Sequence, residues 1–404
     1  MRVRIKTSYY LIRAIEKNQF PIAIPNYELS MNQYFATVAR GLENIAAQEL
    51  ERLGAQDVKP DFTGVYFAGD RALLYRVNLW SRTIFRVLMP IAEFQCYNSD
   101  MLYGAVQRIP WDEYLNPDNT LAVNCTGGNE KLNHTHFTAL QVKNAIADQQ
   151  RHQFNKRSSV DVENPDLLIN IHIHRDRGIL SLDSSGGSLH RRGYRPAMGM
   201  APLKETLAAA LLDMAEWTPD MPFLDPMCGS GTLPLEASLK ALNIAPGLFR
   251  EQFGFMTWRD FDEPLWDKLW AEAENSELPE LKQVVAGCDR DSDMLTQART
   301  NAQQAGLAGK IPFARTELSE LEPPADSGVL ICNPPYGERL GDAKELGELY
   351  KMLGDIFKQR FKGWNAFILT GNKELGKQVG LRTSKRIPVF NGSIPCTLLK
   401  YELY

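Results

Sequence analysis

From about residue 200 onward, short and long apolar patterns alternate regularly along the chain, and this alternation limits the possible folds. Short apolar stretches, such as PFLDP, VVAGCD, GVLICN and NAFILTG, alternate with longer amphipathic stretches such as LGELYKMLGDIFKQRF. Strands that alternate with helices in this way predict a doubly wound, mostly parallel α/β sheet. Near the end of the chain, Asn391 and Gly392 stand between two apolar stretches, which is a strong hairpin signal. We therefore expect an antiparallel pair of strands to close one edge of this sheet.

Residues 31 to 187 follow another pattern. Short alternating stretches that are typical of strands, including GVYFAG, TLAVNCTG and LLINIHIH, occur here with few helical segments. One helix is predicted where Leu42, Ala46 and Leu50 share a face, and a second over HFTALQVKNAIADQQRHQF. This mixture indicates an α+β region. Residues 1–30 show no convincing periodicity, so we expect an appendage on which neither folding nor activity depends.

The composition is that of an ordinary globular protein. The 404 residues allow two or three domains, with 44% hydrophobic and 23% charged residues. No apolar stretch is long enough to span a membrane, and the basic start lacks the apolar core of a secretory signal. The six cysteines are scattered without a CxxC pair, and His172 and His174 have no third ligand near them in sequence. We therefore expect a cytoplasmic protein without a metal site.

The net charge of −4 gives the chain no general attraction for nucleic acid. Basic residues nevertheless cluster in three stretches, RHQFNKR, HRDR and HRRGYR. Each cluster is either a solvated surface or a set of contacts to RNA phosphates, and the sequence leaves both interpretations open. The candidate RNA contacts are Arg151, Lys156, Arg157, Arg191, Arg192 and Arg195.

The stretch FLDPMCGSGTLPLEA lies where the first strand of the predicted sheet meets its helix. Asp225 ends the strand, and Gly229 and Gly231 follow it. Glycines let a ligand approach the backbone closely, and the start of a helix favours a carboxylate. A dinucleotide site needs a third glycine where Pro234 stands, and a phosphate loop needs a Gly-Lys-Ser/Thr sequence that is absent. Apart from a merely tight turn, the best match is S-adenosylmethionine, whose amino-acid end carries a carboxylate and an ammonium.

A second acidic residue, Asp289, ends the strand VVAGCD. A carboxylate in this position can accept hydrogen bonds from both ribose hydroxyls of a nucleoside. Asp291 is instead expected to cap the next helix. The segment between Asp225 and Asp289 contains an aromatic-rich insertion at residues 245–280. We interpret this insertion as either a flap that faces the substrate or a packed helical excursion.

Two consecutive prolines follow the strand GVLIC in the stretch NPPYGERL. Because proline cannot donate to a sheet ladder, the strand must stop there in a rigid, extended corner. The Asn333 side-chain oxygen and the Pro334 carbonyl could accept from an exocyclic amine, while Pro335 stiffens the corner and Tyr336 stacks on a base. The alternative is a purely structural loop. At the switch point of a doubly wound sheet, this corner would lie opposite the donor.

Together these stretches resemble the class I methyltransferases that carry a THUMP domain, and in particular the bacterial ribosomal RNA large subunit methyltransferase L family. The resemblance is carried by FATVARGLE, GVYFAGD, LHRRGYR, APLKETLAAA, LDPMCGSGTL and NPPYGERL, and covers residues 31–404. It implies transfer of a methyl group to guanine N2 in 23S ribosomal RNA. The implied domains are an extension (1–30), a ferredoxin-like part (31–75), an RNA-binding THUMP domain (76–187) and the methyltransferase domain (188–404).

The resemblance also assigns roles to residues. Asn333, Pro334, Pro335 and Tyr336 would hold the target amine. Where relatives place an aspartate near the adenine, the nearest acid here is Glu317. Some relatives carry a second methyltransferase domain, so we expect another protein to make any second modification. The residues that would bind S-adenosylmethionine are Thr206, Asp225, Pro226, Gly229, Gly231, Thr232, Asp289 and Glu317.

The acceptor is the least constrained part of this prediction. An NPPY corner serves adenine N6, cytosine N4, guanine N2 and glutamine amides alike. A tRNA guanine methyltransferase is the main alternative, and a DNA adenine methyltransferase is disfavoured because the α+β region resembles an RNA module. An RNA-binding protein with an inactive catalytic domain is the alternative of a different class.

Overall fold

The computed structural model describes residues 31–195, 203–336 and 343–404 of the chain. The extension at residues 1–30 lies outside the described residues, so its role stays a prediction. The chain divides into two compact units. The smaller unit contains Leu88–Gly186 and Phe253–Phe261, and the larger unit contains Tyr34–Val87, Gly187–Gln252 and Asp262–Tyr404.

The smaller unit is an α+β structure, as the sequence predicted. Its strands follow the order β4-β8-β7-β5-β6, with β7 parallel to β5 and antiparallel to β8. Residues 167–171 of β7 and Ile173 are buried, and the long helix of this unit packs against β5 and ends at Asn155 in a left-handed conformation. The elements are β4 (Ile84–Gln95), which begins in the larger unit, α3 (Ser99–Val106), β5 (Thr120–Gly128), α4 (Thr135–Phe154), β6 (Ser159–Val160), β7 (Leu167–His174) and β8 (Arg177–Asp183).

The larger unit contains the predicted doubly wound sheet, in the strand order β11-β10-β9-β12-β13-β15-β14. The first five strands are parallel, and the order reverses between β9 and β12. The elements are α5 (Glu205–Met214), β9 (Phe223–Asp225), α6 (Thr232–Ala241), α7 (Glu263–Asn275), β10 (Val285–Asp289), α8 (Ser292–Gln304), β11 (Phe313–Arg315), β12 (Gly328–Cys332), α9 (Ala343–Arg360), β13 (Trp364–Thr370), α10 (Lys373–Gln378), β14 (Lys385–Asn391) and β15 (Ile394–Glu402).

The predicted hairpin at the sheet edge is confirmed. Strand β15 pairs antiparallel with both β13 and β14, and Asn391 lies opposite Ile394. The two-residue loop is therefore Gly392-Ser393, one position later than the Asn391-Gly392 signal. Gly392 has a φ of +63°, which a glycine adopts without steric cost.

The N-terminal part of the larger unit shares a hydrophobic core with the sheet. It consists of β1 (Asn32–Val38), α1 (Glu43–Arg52), β2 (Gln56–Asp61), β3 (Gly64–Gly69) and α2 (Arg71–Trp80). Leu42, which precedes α1, is completely buried in the same apolar cluster as Leu207 and Leu211 of α5. Burial of apolar surface is the main favourable term in folding, so this shared core holds the two parts together.

A buried polar network reinforces that junction. Arg192 and Glu236 form an ion pair with an Nε–Oε1 distance of 3.4 Å, and their side chains are 1% and 0% exposed. Tyr194 donates its hydroxyl to Glu236 at 2.8 Å. Arg192 also donates to the carbonyls of Leu189 and of Arg82, just beyond α2. The charges are therefore paired and hydrogen-bonded, as buried charges must be.

The insertion at residues 245–280 is a packed excursion, one of its two predicted forms. It contains two short 3₁₀ turns followed by α7. Trp266 of α7 is buried and contacts Tyr75 of α2 edge to face, with ring centroids 5.9 Å apart. Within the described ranges, no helix is both long and apolar enough to cross a membrane.

Two glycines of α9 provide a matched test of its packing. A Cβ at Gly354 would lie 1.7 Å from the Val379 carbonyl oxygen, whereas a Cβ at Gly347 meets no described atom within 4 Å. Gly354→Ala should lower the free energy of unfolding by about 1–3 kcal/mol, because α9 must move away from the turn that follows α10. Gly347→Ala should raise it by about 0.5–1 kcal/mol, because alanine favours the helix. Urea denaturation of both variants measures these effects, and a loss of the same size in both would contradict this packing.

Candidate active site

Three predicted site residues lie at the ends of three adjacent strands. Asp225 is the last residue of β9 and Asp289 the last of β10, while Asn333 directly follows β12. Asp225 is paired in register with Gly287, so Asp289 extends two residues further along the same edge. Since β9 lies between β10 and β12, the three residues meet at the carboxyl edge, where the strand order reverses. Ligands of open α/β sheets bind at this position.

The loop after β9 is shaped by its two glycines. Gly229 and Gly231 have φ values of +52° and +85°, which side chains other than glycine rarely allow. A Cβ at Gly229 would project into space that no described atom occupies within 4 Å. A Cβ at Gly231 would instead come within 3.1 Å of Ala298 and Phe313. Gly229 therefore leaves room for a ligand beside the backbone, while Gly231 allows the loop to pack on the sheet. We call residues 226–231 the donor loop.

Asp289 links the donor loop to the neighbouring strand. Its Oδ2 accepts from the Gly229 backbone N–H at 2.8 Å, and its Oδ1 accepts from the Asp291 N–H at 3.0 Å. Each carboxylate oxygen has a second lone pair, so both can still accept from hydroxyl groups. Asp291 caps α8 through the backbone N–H groups of residues 293 and 294, which confirms its predicted role.

Asp225 lies deeper than Asp289. Burial raises the pKa of the Asp225 carboxyl well above its usual range, and the nearby Asp289 charge adds to this shift. The Met227 N–H, at 3.1 Å, favours the charged form. A cationic ligand would favour ionised Asp225, because it would supply the missing opposite charge.

The other predicted donor residues surround this loop. Thr206 of α5 is completely buried, and its hydroxyl has no hydrogen-bond partner within the described part of the chain. Pro226 and Thr232 are buried at the two ends of the loop. Glu317 is exposed and lies two residues after Arg315, which pairs with Asp289, so it occupies the same edge of the sheet.

The proline corner forms without regular secondary structure, as predicted. Pro334 is buried and Pro335 partly exposed. The Asn333 Oδ1 atom is buried and accepts no hydrogen bond from any described residue. The rest of the motif, residues 337–340, lies outside the described residues. A buried acceptor without a partner is costly, so this oxygen suits a ligand that donates a hydrogen.

Tyr336 is held in place by the C-terminal hairpin. Asn391 donates to the Tyr336 hydroxyl at 2.8 Å, and burial raises the tyrosine pKa to about 12. A Cβ at Gly371 would lie 2.9 Å from the tyrosine ring, so this glycine permits the ring to approach β13 closely. The hydroxyl is thus already engaged within the protein.

The thiols near these strand ends are not suited to act as nucleophiles. Burial raises the pKa of Cys228 and Cys332 well above the usual range, and it also raises the pKa of Cys288. Since the thiolate is the reactive form, these groups stay protonated at neutral pH. The described residues contain no group of three or more side chains arranged to hold a metal ion.

The basic clusters separate into exposed and buried groups. Arg151 and Lys156 are exposed but paired with Asp148 and Asp118. Arg157 and Arg191 are exposed as well.

The structure contradicts the prediction that Arg192 and Arg195 contact RNA. Arg192 is enclosed in its ion pair with Glu236, and only 6% of the Arg195 side chain is exposed. Neither guanidinium therefore presents its donors to a phosphate. No local pattern distinguishes these arginines from Arg191, because the alternation of exposed and buried residues in HRRGYR depends on packing.

Three site residues were missed by the sequence analysis. Arg195 donates to Ser230 in the donor loop at 2.9 Å and to Glu205 at 3.0 Å. Asn301 of α8, which is fully buried, donates to the Ser230 carbonyl at 3.1 Å. The signal available for Ser230 was its position between the two glycines, whereas Glu205 and Asn301 lie in ordinary helical patterns.

Residues 192–400, more than half of the chain, match the family described as the RMKL-like methyltransferase domain. The chain belongs to this methyltransferase family. Residues 96–183 match the THUMP domain and residues 33–88 match the RlmL ferredoxin-like domain. The prediction of a THUMP-containing class I methyltransferase is thereby confirmed.

Curated relatives carry related names. A Synechocystis protein named as a candidate RNA methyltransferase is 59% identical over 378 residues, which cover 94% of this chain and 98% of that protein. The ribosomal RNA large subunit methyltransferases K/L of Syntrophotalea carbinolica and Methylococcus capsulatus are 45% and 42% identical over 92% of this chain. The chain spans about half of these two proteins, 53% and 51% of their lengths.

Solved structures agree on the fold and differ in their names. A candidate methyltransferase complexed with SAH has a TM-score of 0.82 and 32% identity, covering 93% of this chain and 98% of its own. A Listeria monocytogenes protein, named by prediction as an N6-adenine-specific DNA methylase, has a TM-score of 0.82 and 33% identity. The match covers 93% of this chain and 97% of that protein. The class I methyltransferase fold is confirmed, while the names of the relatives differ on the acceptor.

The position of Asp289 predicts its effect on donor binding. Asp289→Ala should weaken S-adenosylmethionine binding about 10- to 100-fold, because charge-assisted hydrogen bonds worth about 1.5–3 kcal/mol are removed. Asp291→Ala is the matched control on the same loop. It should lower the free energy of unfolding by about 1 kcal/mol through loss of the helix cap, with donor affinity unchanged. Calorimetric titration of both variants with S-adenosylmethionine measures their donor affinities. If the two variants bind the donor equally tightly, Asp289 is not part of the donor site.

Proposed function

We propose that this methyltransferase transfers a methyl group from S-adenosylmethionine to the exocyclic N2 of a guanine in 23S ribosomal RNA. The observation that carries the proposal is the buried Asn333 oxygen, which has no partner among the described residues and follows the strand next to that of the donor loop. The names of the K/L relatives support ribosomal RNA as the substrate. An RNA substrate and scattered free cysteines support a cytoplasmic location.

Methyl transfer to an exocyclic amine does not require a strong base from the protein. An exocyclic amine is conjugated with its ring, so its lone pair is a weak nucleophile. Asn333 and the Pro334 carbonyl would accept from the two amine hydrogens, orient the lone pair and stabilise the charge that develops on nitrogen. The two prolines keep these acceptors fixed before the substrate arrives. The methylated nitrogen then loses one proton to water.

The predicted donor residues would each contact a different part of S-adenosylmethionine. S-adenosylmethionine, when bound, supplies an electrophilic methyl group on a sulfonium. Asp289 would accept from the ribose hydroxyls, and Glu317, which is exposed on the same edge of the sheet, would contact the adenine. The donor loop and Thr206 would hold the methionine end, where buried Asp225 favours a positive group. The methionine end would occupy the space beside Gly229, where a Cβ would meet no described atom within 4 Å.

The target base would be held by shape and by stacking. Asn391 donates to the Tyr336 hydroxyl and so holds the ring in place, and the ring would stack on the target base. A guanine in a duplex must leave its stack to reach such a corner. Unpaired or flipped guanines are therefore the preferred substrates. Arg151, Lys156 and Arg157 in the smaller unit and Arg191 in the larger unit are proposed to contact RNA phosphates.

The acceptor can be identified directly. Mass-spectrometric mapping of ribosomal RNA and tRNA from a strain that lacks this protein should reveal the loss of one N2-methylguanine in 23S ribosomal RNA. Loss of a tRNA methylguanine instead would favour the tRNA alternative. Unchanged RNA modification, together with intact donor binding, would favour a role in RNA binding alone.

Asn333 should be essential for turnover but not for donor binding. Asn333→Ala removes one preorganised acceptor, so single-turnover methylation of 23S ribosomal RNA should fall by about 10²–10³. Donor affinity should stay nearly constant. Tyr336→Phe should be mild because the ring face remains, whereas Tyr336→Ala should lose stacking worth about 1–3 kcal/mol.

The matched control for Asn333 is Asn372, which follows the neighbouring strand β13 and caps α10. Asn372→Ala should lower the free energy of unfolding by about 1 kcal/mol and leave turnover unchanged. If Asn333→Ala methylates at the wild-type rate, the proline corner is structural and the proposed acceptor site is wrong.

Exposed basic residues should determine the salt dependence of RNA binding. Replacing Arg157 and Arg191 with alanine should weaken binding and reduce the salt slope by about 0.7 for each phosphate that is no longer neutralised. Lys268→Ala, at an exposed lysine of α7 outside these clusters, should change neither quantity. Fluorescence titration of an RNA fragment at several salt concentrations measures the slope. A slope equal to wild type in the double variant would place the RNA on another surface.

A further inference from the structure

Arg195 has an environment that a surface contact does not need. Its side chain is 6% exposed and forms an ion pair with Glu205, which is 8% exposed. The Nη1 atom donates to Glu205 Oε1 at 3.0 Å and to the Leu203 carbonyl at 3.2 Å. The Nη2 atom donates to the Ser230 hydroxyl at 2.9 Å. One guanidinium thus connects the start of α5 to the middle of the donor loop.

Ser230 is a second point at which the donor loop is fixed, besides the Gly229 N–H, which donates to Asp289. Its hydroxyl accepts from Arg195, and its carbonyl accepts from the fully buried Asn301 at 3.1 Å. The residues on either side, Gly229 and Gly231, both have left-handed backbone conformations. Glycines give a loop many conformations, so a loop that must lie close to a ligand needs an external restraint. Arg195 and Asn301 supply that restraint by holding two different groups of one residue.

The polar atoms around Arg195 are not all satisfied by the protein. The Arg195 Nε atom and the Thr206 hydroxyl are both buried, and neither has a hydrogen-bond partner within the ranges that the structure describes. Burial also raises the pKa of Glu205, an effect that Arg195 opposes. Unsatisfied buried donors are rare in native proteins and are typical of places where a ligand completes the hydrogen bonding.

We infer that Arg195 is a positioning residue that, through Ser230, sets the donor loop against the methionine end of S-adenosylmethionine. This inference rests on the proposed function, because the donor loop must bind that end of the donor. It replaces the RNA contact that the sequence suggested for this arginine. It also separates Arg195 from Asp289, which would act at the ribose end of the same ligand.

The test compares two ligands that differ only at the methionine end. S-adenosylhomocysteine has the amino-acid portion, and 5′-methylthioadenosine has the same nucleoside without it. Arg195→Lys keeps the charge, but one ammonium cannot replace the guanidinium bridge between Glu205 and Ser230. We expect this variant to bind S-adenosylhomocysteine about 10-fold more weakly, with binding of 5′-methylthioadenosine changed less than about twofold. Ser230→Ala, a smaller change on the loop itself, should show the same selective loss.

Combining the two changes tests whether Arg195 acts through Ser230. Both single variants remove the same hydrogen bond. The double variant with Arg195→Lys and Ser230→Ala should therefore bind S-adenosylhomocysteine almost as tightly as the weaker-binding of the two single variants. Additive losses, or equal losses for the two ligands, would overturn the inference. If Arg195→Lys does not fold, Ser230→Ala alone decides, and an unchanged affinity for S-adenosylhomocysteine overturns it. A wild-type protein that binds neither ligand would instead refute the proposed function itself.

Discussion

The buried ion pair between Arg192 and Glu236 joins three segments of the larger unit. Both side chains are almost completely buried, and the pair is surrounded by further donors and acceptors, including Tyr194 and the carbonyls of Leu189 and Arg82. Removing one partner would leave an uncompensated buried charge, which costs about 3–5 kcal/mol. The segments that meet here must therefore remain together for the fold to be stable.

Those segments connect the N-terminal part of the chain to the donor site. Arg82 follows α2 of the ferredoxin-like part, whereas Glu236 lies on α6, the helix that begins directly after the donor loop. The shared apolar core around Leu42 and Leu207 joins the same two parts. The ferredoxin-like part is thus built into the methyltransferase unit. Packed interiors transmit strain, so a substitution at this junction should also shift the position of the donor loop.

Local sequence patterns were enough to predict much of the candidate site. Asp225, Asp289 and Asn333 were predicted because each ends or directly follows a strand, and the carboxyl ends of parallel strands share one edge of a sheet. The contacts of Arg195 with Ser230 and of Asn301 with Ser230 were not predictable, because they join residues 35 and 71 positions apart. No local pattern reports such pairs, which depend on how helices are placed against the sheet.

Local backbone preferences were enough to predict the alternation of strands and helices, the glycine donor loop and the proline corner from the amino-acid sequence alone. The sequence also determined where charge is concentrated along the chain. Which of those charges are exposed to water depends on how the folded chain packs. Within HRRGYR, Arg191 is exposed while Arg192 and Arg195 are enclosed by carboxylates from α5 and α6. A charge can be buried only when a partner is placed beside it, and that placement is a property of the packed molecule.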